Sequence, residues 1–144
     1  MLVVARKLAV EHRARTAALR IIHDQAADDH MLAAAARTWT ARETACAVLV
    51  DQLDRWAATH LPEAPAGVLH TETLGQLVDR LARVWMRSQL LADAGQPATD
   101  PQVRVAAEQV SELCVAYDEL VGDLVRGRRR LPKSQTPTGP GGIA

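Results

Sequence analysis

The stretch that decides the fold lies near the middle of the chain and reads HTETLGQLVDRLARVWMRSQLL, residues 70–91. From residue 74 onward its apolar residues recur at spacings of three and four, the pattern of a helix with one buried face. That face consists of Leu74, Leu77, Val78, Leu81, Val84, Trp85, Ser88 and Leu91. The other face carries Asp79 and Arg83 at the spacing of an i, i+4 ion pair. The stretch therefore predicts an amphipathic helix that packs against other helices.

The four residues before this helix, His70-Thr71-Glu72-Thr73, are typical of a helix start. Thr73 is one candidate N-cap, because Gln76 follows it at the spacing of a capping box. Thr71 is the other, and it would place Glu72 in the first turn, where the helix dipole favours an acid. Capping leaves the histidine unexplained, so the alternative is a binding site for a ligand or partner. Its candidate residues are His70, Glu72, Asp79 and Arg80.

Three more segments show helical periodicity. They cover about residues 3–27, 29–60 and 101–127. Asp28 or Asp29 is the expected N-cap of the second helix, and Asp100 followed by Pro101 is a typical start for the fourth. The second segment is long for one helix, and threonines near its middle favour a kink there. No segment shows a convincing strand pattern.

The connections between the four helices are short and contain proline or glycine, so consecutive helices are expected to be antiparallel neighbours. A chain of 144 residues fits one domain and is long enough for a substantial core. We therefore predict an all-α fold, an up-and-down four-helix bundle that forms a single domain over residues 1–130. Residues 131–144 are rich in Pro, Gly and Thr and are expected to be a flexible tail.

The composition restricts the class of protein. Basic and acidic residues both number 17, so no overall field attracts nucleic acid or an anionic membrane. Cys46 and Cys114 lie on apolar faces, which indicates buried thiols in a reducing compartment. Trp39, Trp56 and Trp85 lie on apolar stripes and are expected in the core. The N-terminus lacks a signal-peptide pattern, and no run approaches the roughly 18 apolar residues of a membrane span, so we expect a soluble, cytoplasmic protein.

The segment HTETLGQLVDRL resembles the signature of a bacterial family known as domain of unknown function 4254. Members carry T-E-T/S-x-x-x-x-I-D-R-L after a small polar residue or histidine. The matching positions here are His70, Thr71, Glu72, Thr73, Asp79, Arg80 and Leu81. The resemblance continues through the fourth helix and covers about residues 50–130, while Arg37 and Asp54 are the polar positions that match in the family's first half. The resemblance implies a helical fold and implies no activity.

These features favour a non-enzymatic helical binding protein of unknown partner, with no cofactor. Self-association through an apolar helix face is one form of this function, because Ala82, Met86 and Leu90 make a second apolar line on the third helix. A protein partner or a homo-oligomer is therefore expected, nucleic acid is a less favoured partner, and no membrane is expected.

Two alternatives stay open. All-helical nucleotide pyrophosphohydrolases hold magnesium between carboxylates of two helices. Candidate ligands of that kind are Asp51, Asp54, Glu108 and Glu112. A basic segment after the fourth helix is a candidate for contacts with the phosphates of nucleic acid. Its residues are Arg126, Arg128, Arg129, Arg130 and Lys133. The densest set of other possible metal ligands, at residues 23–30, is interpreted as a solvated corner between helices.

Overall fold

The computed structural model describes residues 2–132 and contains four helices. They are α1 (Leu2–Ile22), α2 (Asp29–His60), α3 (Leu74–Asp93) and α4 (Pro101–Val125). The predicted all-α fold is confirmed. Two strands, β1 (Val68–Leu69) and β2 (Arg129–Arg130), pair in parallel, although no strand was predicted. Each has only two residues, which is too short for a periodic pattern to show in the sequence. The predicted tail lies outside the described residues from residue 133 onward.

The helix starts agree with the predicted caps. The Thr73 hydroxyl accepts from the Gln76 N–H at 3.2 Å, and the Gln76 side chain accepts from the Thr73 N–H at 2.9 Å. This is the complete capping box, so Thr73 and not Thr71 is the N-cap of α3. Asp28 caps α2, and Asp100 caps α4 with proline at the first helical turn.

One helix ends earlier than predicted, and the long second helix is continuous. α1 ends at Ile22 because the Asp24 carboxylate accepts from the Ala26 N–H at 2.9 Å and stabilises a turn instead. α2 runs without a break from Asp29 to His60. Each threonine hydroxyl near its middle donates to the carbonyl four residues earlier, a contact that bends helices without ending them. These threonines are Thr38, Thr40 and Thr44.

The main core lies where α1, α2 and α3 meet, which we call the three-helix junction. Its buried residues are Leu8, Cys46, Leu53, Ala57, Leu74, Val78 and Ala82. A smaller cluster joins α3 to α4 through Leu77, Leu120 and Leu124. Within residues 2–132, α4 packs closely against α3 alone among the helices. The four helices therefore form an open bundle, in which α4 covers only one side of α3.

Gly75 explains how closely α2 and α3 approach in the junction. A Cβ atom at this position would overlap the backbone carbonyl oxygen of Val50 and would lie 2.9 Å from the Asp54 carboxylate. The overlap with the Val50 backbone cannot be relieved without a shift of the helices, so the packing requires glycine here.

The open arrangement contradicts part of the predicted core. Trp56 is 37% exposed and Trp85 is 46% exposed, while Trp39 is half-buried. Cys46 is buried as predicted, but Cys114 is exposed. The physical reason for Cys114 is that α4 has α3 on one side and no second helix packed against it among the described residues. None of the helices within residues 2–132 is both long enough and apolar enough to cross a bilayer.

Candidate functional site

A buried histidine contacts an acidic residue across the three-helix junction. His12 of α1 is only 1% exposed, and its Nε2 lies 2.7 Å from Oδ1 of Asp79 on α3. The second carboxylate oxygen of Asp79 lies 3.6 Å from Arg83, which confirms the predicted i, i+4 pair. The side chain of Asp79 is 20% exposed, so this carboxylate connects the core to the surface.

Cys46 of α2 completes a cluster of three side chains, which we call the His-Cys-Asp cluster: His12, Cys46 and Asp79. The potential ligand atoms of these residues all lie within 4.8 Å of one another. Among residues 2–132, no other group of three or more His, Cys, Asp or Glu side chains is placed to hold a metal ion. Burial raises the pKa of the Cys46 thiol, and the Asp79 carboxylate raises it further. The thiol therefore stays protonated near neutral pH unless a positive charge binds beside it.

The structure brings together three of the four binding residues that the sequence predicted. Arg80 contacts the Glu72 carboxylate at 2.9 Å, and the Glu72 N–H donates to His70 Nδ1 at 3.1 Å. Asp79 turns away from them toward α1, where it meets His12. The Nε of Arg80 is buried without a hydrogen-bond partner among the described residues. His70, Glu72 and Arg80 thus form a local network at the start of α3, separate from Asp79.

The predicted carboxylate ligands for magnesium do not converge. Asp51 pairs with Arg55 at 2.9 Å on the same helix. Asp54 is buried, and its Oδ1 accepts from the Gly75 N–H at 2.7 Å, so it stabilises the first turn of α3. Glu108 and Glu112 are exposed on α4, which does not pack against α2 within the described residues. Two carboxylates therefore have structural contacts, and the other two face solvent.

The basic segment is largely engaged with the protein itself. Arg128 and Arg129 both contact Asp123, at 2.6 Å and 3.3 Å, and Arg130 donates to the Gly67 carbonyl at 3.2 Å. The hydrogen bond from Arg128 is the main reason that the pKa of the Asp123 carboxyl lies below its ordinary value. These contacts hold β2 beside β1. Arg126 is exposed, and the predicted contribution of Lys133 lies outside the described residues.

A cavity of about 590 Å³ opens between the end of α2, the start of α3 and the end of α4. Asp54, Leu61, Thr73, Leu124 and Arg130 are among the side chains that line it. Its volume is in the range of pockets for small molecules. Three of its polar residues already have partners: Asp54 and Thr73 stabilise the start of α3, and Arg130 donates to the Gly67 carbonyl just before β1. A fourth, Glu63, is exposed.

One side of α4 carries an uncharged apolar row, which we call the α4 stripe. It consists of Val103, Ala107, Val110, Cys114 and Val121. All five are half-buried or exposed, whereas the α3-facing residues Ala106, Leu120 and Leu124 are buried. The stripe is therefore an apolar face that the described part of the chain leaves partly uncovered.

A family model described as "Protein of unknown function (DUF4254)" matches residues 2–133. The chain belongs to this family. The match to the DUF4254 model extends beyond the region of the sequence resemblance, residues 50–130, and includes α1 and all of α2. Searches of curated proteins and of solved structures give no significant match. The DUF4254 model therefore covers all four helices, and the family has no assigned activity.

Sequence reasoning missed the His-Cys-Asp cluster of this DUF4254 protein. It interpreted Cys46 as a buried thiol and assigned Asp79 to a site at the start of α3. The available signal was a histidine in the middle of an otherwise apolar face. Periodicity identifies such a residue on its own helix, but it does not identify partners that are 34 and 67 residues away in the chain.

Proposed function

We propose that this protein is a non-enzymatic interaction protein and that a second copy of the same chain covers its α4 stripe. The observation that carries the proposal is the partly uncovered α4 stripe. Among residues 2–132, α4 packs against α3 and against no further helix. In a bundle of long helices, an uncharged face of this kind is expected to bury itself against another apolar surface.

The relative directions of α3 and α4 enlarge this surface. Leu77, near the start of α3, packs against Leu120 and Leu124, near the end of α4, so the two helices are antiparallel. When α3 and α4 are placed as antiparallel neighbours, helical periodicity puts Trp85 and the α4 stripe on the same side of the pair. The half-exposed indole of Trp85 would therefore extend the surface of the α4 stripe across α3. Tryptophan is among the residues that contribute most to protein interfaces.

Charge favours a second copy as the partner. The five residues of the α4 stripe are uncharged, with Asp118 at its edge, and the whole chain has a formal net charge of zero, so no overall charge repulsion opposes the pairing of two copies. A symmetric dimer would use the same patch on both subunits, which closes the assembly and leaves no stripe exposed.

The size of the surface predicts a dimer of moderate affinity. The α4 stripe runs from Val103 to Val121, which is about 27 Å along the helix, and at a width of about 10 Å it offers roughly 270 Å². A standard interface buries about 800 Å² on each partner, which requires Trp85 and adjacent surface to contribute as well. We therefore expect dissociation at about micromolar concentration.

Sedimentation velocity over a range of concentrations tests the proposal. The wild-type chain should show a reversible monomer–dimer equilibrium. Val110→Glu, in the stripe, should weaken the dimer at least roughly tenfold, because the new carboxylate would be buried in an apolar interface. Val105→Glu is the matched control: it makes the same charge change on the same helix, at an exposed valine outside the stripe. A wild-type chain that is monomeric at all concentrations, or equal effects of the two variants, would contradict the proposal.

The proposal retains the cytoplasmic location expected from the sequence. Cys46 and Cys114 are both free in the structure, which agrees with a reducing compartment. The contacts of Arg128, Arg129 and Arg130 with the protein itself also favour a protein partner over nucleic acid.

A further inference from the structure

The His-Cys-Asp cluster brings together one imidazole, one thiol and one carboxylate from three different helices. His12 lies on α1, Cys46 on α2 and Asp79 on α3. We propose that these three side chains bind one transition-metal ion of the Zn²⁺ class in the three-helix junction. This site is distinct from the α4 stripe, so it stands independently of the proposed function.

The donor atoms select the class of metal. A cysteine thiolate and a histidine nitrogen are preferred by Zn²⁺ and related transition metals, whereas Mg²⁺ and Ca²⁺ prefer oxygen ligands alone. Three protein ligands with a fourth position left for water is a recurrent arrangement around Zn²⁺. The partial exposure of Asp79 provides the side from which an ion and its water would enter.

The distances in the cluster are compatible with coordination after small side-chain movements. Zinc bonds of about 2.0–2.3 Å place tetrahedral ligand atoms roughly 3.2–3.6 Å apart. The His12 and Asp79 atoms lie 2.7 Å apart, and no pair in the cluster exceeds 4.8 Å. The first pair must separate by about half an ångström, and the widest pair must close by about one ångström. Changes of this size need only side-chain torsions, with the helices in place.

Two further features suit a bound cation. Arg83 lies 3.6 Å from one oxygen of Asp79 while the other oxygen faces His12, so the carboxylate is already oriented toward the cluster. Charge also balances: a divalent ion, one thiolate and one carboxylate sum to zero around a neutral imidazole. When the metal–sulfur bond forms, the proton of the Cys46 thiol leaves to solvent.

Metal binding should also stabilise the fold. The three ligands come from helices that are far apart in the sequence, so an ion that binds only the folded chain connects all three. The expected consequence is a rise in the midpoint of thermal unfolding when Zn²⁺ is added to the metal-free chain. Mg²⁺ should cause no such rise, because the site contains sulfur and nitrogen donors.

Cobalt is the most direct probe, since a Co²⁺–thiolate bond produces a charge-transfer absorption band. The tag-free, metal-free full chain should bind one Co²⁺ with this band, and Zn²⁺ should displace it. Cys46→Ser should remove the band and weaken Zn²⁺ binding at least roughly tenfold. Cys114→Ser is the matched control, because it removes the exposed cysteine and should leave both the band and the affinity unchanged.

Asp79→Asn gives a second arm that does not depend on the cysteine. It should retain the thiolate band but weaken Zn²⁺ binding, and circular dichroism of each variant will show whether it is folded. The proposal is overturned if wild type shows no thiolate band with Co²⁺, if the band survives in Cys46→Ser, or if it is lost in Cys114→Ser.

Discussion

The three-helix junction and the α3–α4 pair are built from the same kind of amphipathic helix, yet they differ in what they bury. In the junction, each helix packs against the other two, and even His12 and Asp54 are buried with hydrogen-bond partners. On α4, which packs only against α3 among the helices described, valines of the apolar stripe stay half-buried and Cys114 is exposed.

This difference shows that an apolar face is buried only where a neighbouring helix covers it. α3 illustrates it within one element: Val78 and Ala82 are buried in the junction, whereas Trp85 on the same helix is 46% exposed. An apolar residue one turn away from another can therefore have a different environment. The two proposed sites lie in these two regions. The metal site is in the three-helix junction, and the dimer surface is on the α3–α4 pair.

The largest effect is expected where the junction is tightest. Gly75→Ala should destabilise the fold by roughly 2–3 kcal/mol, because the new Cβ would overlap the Val50 carbonyl oxygen. Chemical denaturation measures the free energy of unfolding. Gly122→Ala on α4 is the control: its nearest neighbour is the flexible end of Arg126, so alanine should instead stabilise by about 0.5–1 kcal/mol. Equal effects at the two glycines would remove the distinction between the regions.

A smaller effect on the free energy of unfolding should distinguish a buried pair inside the junction from an exposed pair at its edge. Asp79→Ala leaves the buried His12 without its partner and should reduce the free energy of unfolding by about 2 kcal/mol in the metal-free chain. Asp93→Ala is matched to it, because Asp93 also lies on α3 and pairs with α1, through Arg13 at 3.1 Å. Both partners of that pair are more than half exposed, so its loss should cost less than about 0.5 kcal/mol. If the two variants are equally stable, the His12–Asp79 contact does not stabilise the junction.

The smallest effect concerns the end of α4. The hydrogen bond from Arg128 lowers the pKa of the Asp123 carboxyl from 3.8, so the folded value lies below the unfolded one. Its stabilising contribution is therefore present above the unfolded pKa and is lost as pH falls through the folded pKa. Asp123→Asn should make the acid-side decrease in stability slightly shallower than in wild type, as seen in denaturation curves between neutral pH and about pH 3. A carboxyl pKa for Asp123 at or above 3.8, measured by NMR titration, would contradict this.

Much of the fold could be predicted from the sequence because it depends on local interactions. The capping box of Thr73 and Gln76 joins residues within one turn, and the bounds of α2 follow from Asp28 at one end and Pro62 just beyond the other. The Asp79–Arg83 pair is likewise a contact between neighbours on one helix. The end of α1 was predicted less well, since the turn at Asp24 competes with a helix that the same residues could continue.

The candidate sites were harder to predict because they depend on contacts between helices. His70, Glu72 and Arg80 are close in sequence and do contact one another, as a local site would require. Asp79, next to Arg80 in the chain, belongs to another site because successive helical residues point about 100° apart. Trp85 was placed in the core because periodicity identifies an apolar face but does not show whether a second helix covers it.

The sequence by itself determined the helical class, the approximate starts of α2, α3 and α4 and the DUF4254 family to which the chain belongs, whereas the structure decided for Thr73 over Thr71 as the cap of α3. Hydrogen bonds and apolar spacing within a few residues are sufficient for these features. Only the tertiary structure decided that His12, Cys46 and Asp79 meet and that α4 packs against α3 alone among the helices within residues 2–132. The physical reason is that helix periodicity specifies which residues share a face, whereas packing between helices specifies what that face contacts.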